Sequence, residues 1–417
     1  MSFINARRSD RKWQPLRSFL GPARDDAAQS LLALLLSATT SLITGLTIAA
    51  FESKFRQFPG LLLFIPAAIG LNGNVFGPLG GRLSTAIRMG TLNWTWRSDT
   101  VLGQNVLAAL ASSLGAAVGL SFLAEGFVLL VGNEGSDPIG LADFIVVAVF
   151  GGMMAALVVL AITLGLAVGS ARFGWDLDNV TAPLVSASGD FVTLPALLIA
   201  TTFIQRGRLT EILAAGVVAV AIVAGLVLVR SGYALCKRIA FESLPVLVAA
   251  GSMSLVAGLL LERSISQFLN YTVLLVMLPG FLSAAGALGG ILSSRLATKV
   301  HLGFIERAMI PEGEARDDIK IAFILALPIF GYVSVTAAVV GSWFGKTSPG
   351  ALDLLLVSVT GGFAVTAFVA MIAYYGTLLV VRFGLDPDNH GIPLVSASLD
   401  VIGASTLVAA LTLWGVA

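Results

Sequence analysis

The sequence predicts an all-α polytopic membrane protein of eleven spans. Two parallel five-helix repeats are joined by a linker transmembrane helix and related by a pseudo-twofold axis along the membrane normal. Three observations predict this. Hydrophobic residues make up 57% of the 417 and charged residues only 12%, with a mean hydropathy of +0.92, the balance of a chain surrounded by lipid. Apolar stretches of about 20 residues, the length that crosses a bilayer, recur along the whole chain. The second half, finally, repeats the first.

Residues 1–27 carry Arg7, Arg8, Arg11, Lys12, Arg17 and Arg24 but no continuous apolar core, so they are expected as a basic cytoplasmic tail and not a cleaved leader. Within them "WQPLRSFLG" suits either a short interfacial helix or a mobile tail. The first repeat, 28–204, holds spans near 28–51, 58–80, 102–131, 140–170 and 180–204. The linker region, 205–241, holds a span at 209–230 and a cytoplasmic loop. The second repeat, 242–417, holds spans near 242–262, 271–293, 319–345, 350–380 and 391–415. Starting inside, this order puts Arg82, Arg88, Arg172, Arg230, Arg295 and Arg382, with most other cations, on the cytoplasmic side, as the positive-inside rule favours. A multi-pass protein of the cell membrane, plasma or bacterial inner, is expected, with its N-terminus in the cytoplasm and its C-terminus outside. Among the 45 glycines, "GAAVG" at 115–119 and "GLAVG" at 165–169 fit the small-xxx-small pattern of closely packed membrane helices.

The repeat is explicit. "RFGWDLDNVTAPLVSASGD" at 172–190 matches "RFGLDPDNHGIPLVSASLD" at 382–400 without a gap, at an offset of 210. Pro66, Gly73, Arg82 and Thr85 match Pro279, Gly286, Arg295 and Thr298 at an offset of 213, and Ser30 and Gly45 match Ser243 and Gly258 at the same offset. Because each repeat has five spans, a direct fusion would invert the second copy. The span at 209–230 returns the chain to the first side, so both copies run the same way. Residues near the axis then meet their own equivalents, as Asp190 would meet Asp400. Two fused repeats imitate a dimer, and a monomer is expected.

Those two acids are the candidate site. If the fifth span begins near Asp178 and Asn179, which suit an N-cap, Asp190 lies about 17 Å along the helix, close to mid-membrane. Pro183, Ser186 or Ala187, and Asp190 share one helical face. Pro393, Ser396 or Ala397, and Asp400 share the equivalent face. An ionised carboxylate at that depth costs roughly 2.5 kcal/mol or more and usually faces a partner, a cavity or an ion path. The alternative is a protonated Asp serving as interhelical glue. No intramembrane Lys or Arg is available as a partner, and two like charges near one axis call for a cation. Carboxylate, hydroxyl, amide and carbonyl oxygens suit a hard ion, Mg2+ or Ca2+, and Mg2+, reluctant to dehydrate, would be held through its water shell.

"PAAIGLNGNVFGPLGGRLST" at 66–85 is too rich in Pro and Gly to be expected as one continuous helix. Broken backbone at membrane depth is tolerated where it lines a cavity or is buried in protein, so Asn72 and Asn74 are candidate amide ligands; helix-packing glycines with a bonded Asn are the alternative. The candidate metal-binding residues are thus Asp190, Asp400, Asn74, Asn72, Ser186 and Ser396. Asp176, Asp178, Asp386 and Asp388 precede the two helices and would either collect cations at the inner mouth or cap helices. The loop 301–318 reads as a solvated charge run. A single cysteine, Cys236, and two histidines, His301 and His390, leave no internal disulfide and no Cys/His metal site. A net charge of +1 without a basic block gives no reason to expect nucleic acid.

At "GLNGNVFGPLGGRLST", "GALGGILSSRLAT" and the two "PLVSAS" blocks with their following aspartates, the chain resembles the MgtE family of magnesium transporters and channels. It is more similar still to the eukaryotic solute-carrier relatives in which two such domains are fused. The resemblance implies a central pore between the two domains, with the fifth-span aspartates, here Asp190 and Asp400, holding a hydrated Mg2+. Three departures stand out. Ala287 occupies the place equivalent to Asn74, so the pore should be asymmetric there. No segment resembles a CBS sensing domain, so the gating of bacterial relatives is not carried over. Two carboxylates would also serve Mn2+ or another divalent ion.

Two other readings use the same acids. A Na+- or H+-coupled divalent cation exchanger would bind its driving ion there. An intramembrane aspartyl protease would need one neutral and one ionised acid, whereas these two sit in identical contexts. The chain is therefore expected to be a transporter and not an enzyme.

Overall fold

The computed structural model describes residues 24–58, 60–95, 97–131, 139–173, 177–204, 207–301, 305, 310–383 and 392–416. The described residues are helical and include no strand. In chain order the helices are α1 (Arg24–Ala50), α2 (Glu52–Gln57), α3 (Leu61–Arg88), α4 (Val101–Val131), α5 (Leu141–Val146), α6 (Gly152–Phe173) and α7 (Leu177–Ala200). There follow α8 (Arg208–Arg230), α9 (Ala234–Arg263), α10 (Ile265–Asn270), α11 (Val273–His301), α12 (Gly313–Trp343), α13 (Ala351–Phe383) and α14 (Ile392–Leu413). A π-helical turn, Val147–Gly151, joins α5 to α6. The tail before Arg24, with its "WQPLRSFLG", lies outside the described residues.

Ten helices among the described residues are long and apolar enough to cross a membrane, and the protein is an all-α polytopic membrane protein. The remaining expected span is α7, 24 residues long and so about 36 Å. Among its described side chains Ala187–Phe203 form an apolar stretch that runs on into the turn Thr201–Phe203. The linker helix α8 is the least buried of the ten; Ile212, Val220, Ile222 and Val229 stand exposed on more than one side of it. Such all-round hydrophobicity suits a lipid-surrounded helix.

Contrary to the expectation of a broken second span, α3 runs unbroken from Leu61 to Arg88 with Pro66 and Pro78 inside it. A proline removes one backbone donor and bends a helix, and neighbouring helices in a membrane bundle compensate for that loss. Here α9 and α7 pack along α3. Of the small-residue motifs, "GAAVG" turns onto α9, where Leu244 and Val248 lie over Gly115 and Gly119, while Gly165 of "GLAVG" has nothing within 4 Å.

The opening helix of each half crosses to the other half. Helix α1 packs mainly on α11 and α12, and α9 packs on α3 and α4. At the crossings the backbones touch: a Cβ at Gly45 would overlap the carbonyl of Val276, and one at Gly258 would overlap that of Leu63. Both pairs belong to one relation, since Gly258 and Val276 are the offset-213 equivalents of Gly45 and Leu63. Around them Leu61 to Phe64 and Leu274 to Met277 are fully buried, and Phe281 packs on Phe330 with ring centroids 4.9 Å apart.

The two halves differ at their polar contacts. Arg82 donates from Nε to Asn105 Oδ1 at 2.8 Å, whereas its equivalent Arg295 donates to Asp318 Oδ1 at 3.0 Å. Asp318 is 2% exposed and also pairs with Lys299 at 2.8 Å, so it is buried and engaged where a solvated charge run was expected. Burial works against the Lys299 charge, but its bonds to Asp318 and Glu314 outweigh it and hold the ammonium above its ordinary pKa. Near the opposite end of α9, the Glu262 carboxylate accepts the amide hydrogen of Gly60 at 3.0 Å and those of Leu62 and Leu63, capping α3 from the other half. At the corresponding end of α1, Lys346 donates to the Ala49 carbonyl at 2.6 Å.

Candidate cation site

Asp190 lies on α7 and Asp400 on α14, each partly buried. Both carboxylates are held in the same way. Ser41 of α1 donates its hydroxyl to Asp190 Oδ2 at 2.7 Å, and Ser254 of α9 donates to Asp400 Oδ2 at 2.8 Å. The serines are equivalent at offset 213 and the aspartates at offset 210. Each serine is buried, 0% and 3% exposed. Among the described residues no Lys or Arg forms an ion pair with either carboxylate.

The other predicted ligands fall into three groups. Asn72 is 2% exposed and donates from Nδ2 to Thr193 Oγ1 at 2.8 Å, a bond that braces α3 against α7 one turn beyond Asp190. Asn74 shares a face of α3 with Pro78 and Arg82; they line a small recess with Ser112 of α4 and Ser243 and Leu247 of α9. Ser396 is partly buried, and a Cβ on Gly286 of α11 would sit 3.9 Å from its Oγ. For Ser186 and Asp178 only the helical backbone is described. Asp176, Asp386 and Asp388 lie outside the described residues, as does Glu306 of the 301–318 loop.

Sequence reasoning missed Ser41 and Ser254. The signal was present, since both recur at the offset of the first-span matches. What it lacked was the packing of each opening helix, which brings one serine to each aspartate.

Around this common plan the halves are built differently. Gly189, next to Asp190, lies over Asn72 and Gly73. In the second half Leu399 stands in the place of Gly189 and Gly289 in that of the buried Phe76, and a Cβ at Gly289 would overlap Leu399.

Chemically, two acids offering oxygen and no nitrogen or sulfur suit a hard cation. Among the described residues no three His, Cys, Asp or Glu cluster in a way that could hold a metal ion. Two carboxylates leave most of a cation's coordination sphere to water or to neighbouring hydroxyl, amide and carbonyl oxygens.

Comparison with known proteins agrees with this chemistry. The model of the MgtE family, described as divalent cation transporter, matches the chain twice, at residues 65–200 and 278–410. The chain is 23% identical over 400 residues to solute carrier family 41 member 3 of Rattus norvegicus, covering 91% of this chain and 85% of that protein. It is 25% identical over 415 residues to solute carrier family 41 member 2 of Homo sapiens, covering 91% and 69%. No solved structure matches the chain.

Proposed function

The chain belongs to the MgtE family of divalent cation transporters, and from that premise we propose that it carries Mg2+ between its two halves as a hydrated ion held by Asp190 and Asp400. The observation that supports this reading best is the duplicated bond: Ser41 to Asp190 and Ser254 to Asp400. Two equivalent acids, each oriented by a buried serine, would offer an ion one carboxylate from each half. Intramembrane acids of this kind mark ion pathways. The relatives' own names say no more than solute carrier, so the choice of Mg2+ rests on the oxygen chemistry and on a shell left mostly to water or neighbouring oxygens.

In this reading residues 28–204 and 242–417 are the two transport repeats and 205–241 the linker that aligns them. The N-terminus faces the cytoplasm, the C-terminus faces outside, and one chain makes a complete path in the cell membrane. Asn74 tunes the path from the first half only, because Ala287 stands opposite. Asp176, Asp178, Asp386 and Asp388, which precede the two pore helices in sequence, would collect cations from the cytoplasm.

Flux into proteoliposomes of the purified chain tests it. Mg2+ should enter down its own gradient, and the rate should ignore an imposed Na+ or H+ gradient. Flux that follows such a gradient would replace the channel-like path by a coupled exchanger working through the same acids. Failure to move Mg2+ while Mn2+ or Ca2+ passes would refute the choice of ion.

A further inference from the structure

Hydroxyl side chains inside helices normally turn back onto their own backbone, and this chain follows that habit around both serines. In α1, Thr39, Thr40 and Thr47 donate to the carbonyls of Leu35, Leu36 and Ile43. In α9, Ser252 donates to the carbonyl of Val248. Ser41 and Ser254 do otherwise. Each reaches off its own helix to Oδ2 of a carboxylate on another, at 2.7 and 2.8 Å. In both cases the second oxygen, Oδ1, takes no hydrogen bond from any described residue.

That asymmetry within each carboxylate has a consequence for ion choice. Ca2+ takes six to eight oxygens in loose geometry and often grips a carboxylate by both oxygens, whereas Mg2+ requires an octahedron and keeps several waters. A carboxylate that accepts from a buried serine keeps Oδ1 fully open and only one lone pair on Oδ2, so it grips a cation less readily by both oxygens. We propose that Ser41 and Ser254 are specificity-determining positioning residues: by occupying one lone pair on Oδ2 of Asp190 and Asp400 they bias both acids against gripping the ion by both oxygens, favouring hydrated Mg2+ over Ca2+. The inference rests on the reading that these aspartates hold the transported ion.

The test is competition in proteoliposomes, with Mg2+ flux measured at rising Ca2+ for wild type, the double variant Ser41→Ala/Ser254→Ala and the double variant Ser41→Thr/Ser254→Thr. At the lower end of its range a hydrogen bond is worth about threefold in an equilibrium constant, so two independent ones are worth about tenfold. The alanine pair should lower the Ca2+ concentration that halves Mg2+ flux by about tenfold relative to the half-saturating Mg2+ concentration, and the threonine pair, which keeps the hydroxyls, should restore wild-type discrimination. Each single alanine variant, which is expected to shift the ratio about threefold, decides the matter if the double variant does not reconstitute. An unchanged ratio in the alanine variants, or threonine variants no closer to wild type than alanine, overturns the proposal. Asp190→Asn and Asp400→Asn run beside them separate the two ideas. Aspartate variants that carry Mg2+ like wild type sink the ion site and the serine proposal together; dead aspartate variants with unaltered selectivity in the serine variants sink the serine proposal alone.

Discussion

Gly45 of α1 lies against the backbone carbonyl of Val276 in α11, leaving no room for a side chain between them. The same contact recurs between Gly258 and Leu63, so each half is clasped by the opening helix of the other. The clasp brings Ser41 and Ser254 to the two aspartates. Even one methyl group at either glycine must push two backbones apart, and overpacking of this kind costs about 1–3 kcal/mol. Gly45→Ala and Gly258→Ala should each lower the thermal unfolding midpoint of the detergent-solubilised protein, with Gly45→Val lower still. A midpoint unmoved by Gly45→Val would mean that the crossing is not as close as the structure has it.

Glu262 ties the clasp at one end. Its carboxylate accepts amide hydrogens at the start of α3, where the helix dipole favours a negative charge. Glu262→Ala should cost about 1 kcal/mol and Glu262→Asp less, read as the order of their thermal midpoints. Equal midpoints for Glu262→Ala and wild type would remove the cap from the account.

The arginines on α3 and α11 should respond unequally. Arg295 and Lys299 both depend on Asp318, and removing one member of a buried ion cluster costs about 3–5 kcal/mol. Arg82 donates to the neutral Asn105 and forms no ion pair among the described residues, and a neutral bond of this kind is worth about 1 kcal/mol. Asp318→Ala should therefore destabilise the protein far more than Asn105→Ala, although the two positions are equivalent in the repeat. Similar losses of folded yield and midpoint for both would contradict the asymmetry.

Much of this architecture was legible in the sequence, and the gaps have physical causes. Hydropathy marked the helices because only apolar runs can cross lipid, and the duplicated "PLVSAS" blocks exposed the two halves. The break expected in α3 did not occur, because composition alone cannot show that α7 and α9 pack along a proline-bearing helix and support it. Asp318 was hidden in an acidic stretch; burial beside Arg295 and Lys299 depends on how α11 meets α12. Ser41 and Ser254 were silent for the same reason. Their partners are far along the chain, and only the packing of α1 against α7 and of α9 against α14 reveals them.

Mg2+ flux into proteoliposomes made with Asp190→Ala, Asp400→Ala and wild type decides whether the two aspartates together hold the transported ion. Both variants should reconstitute as well as wild type and carry no Mg2+ above protein-free liposomes. Flux at the wild-type rate through either variant would contradict the account.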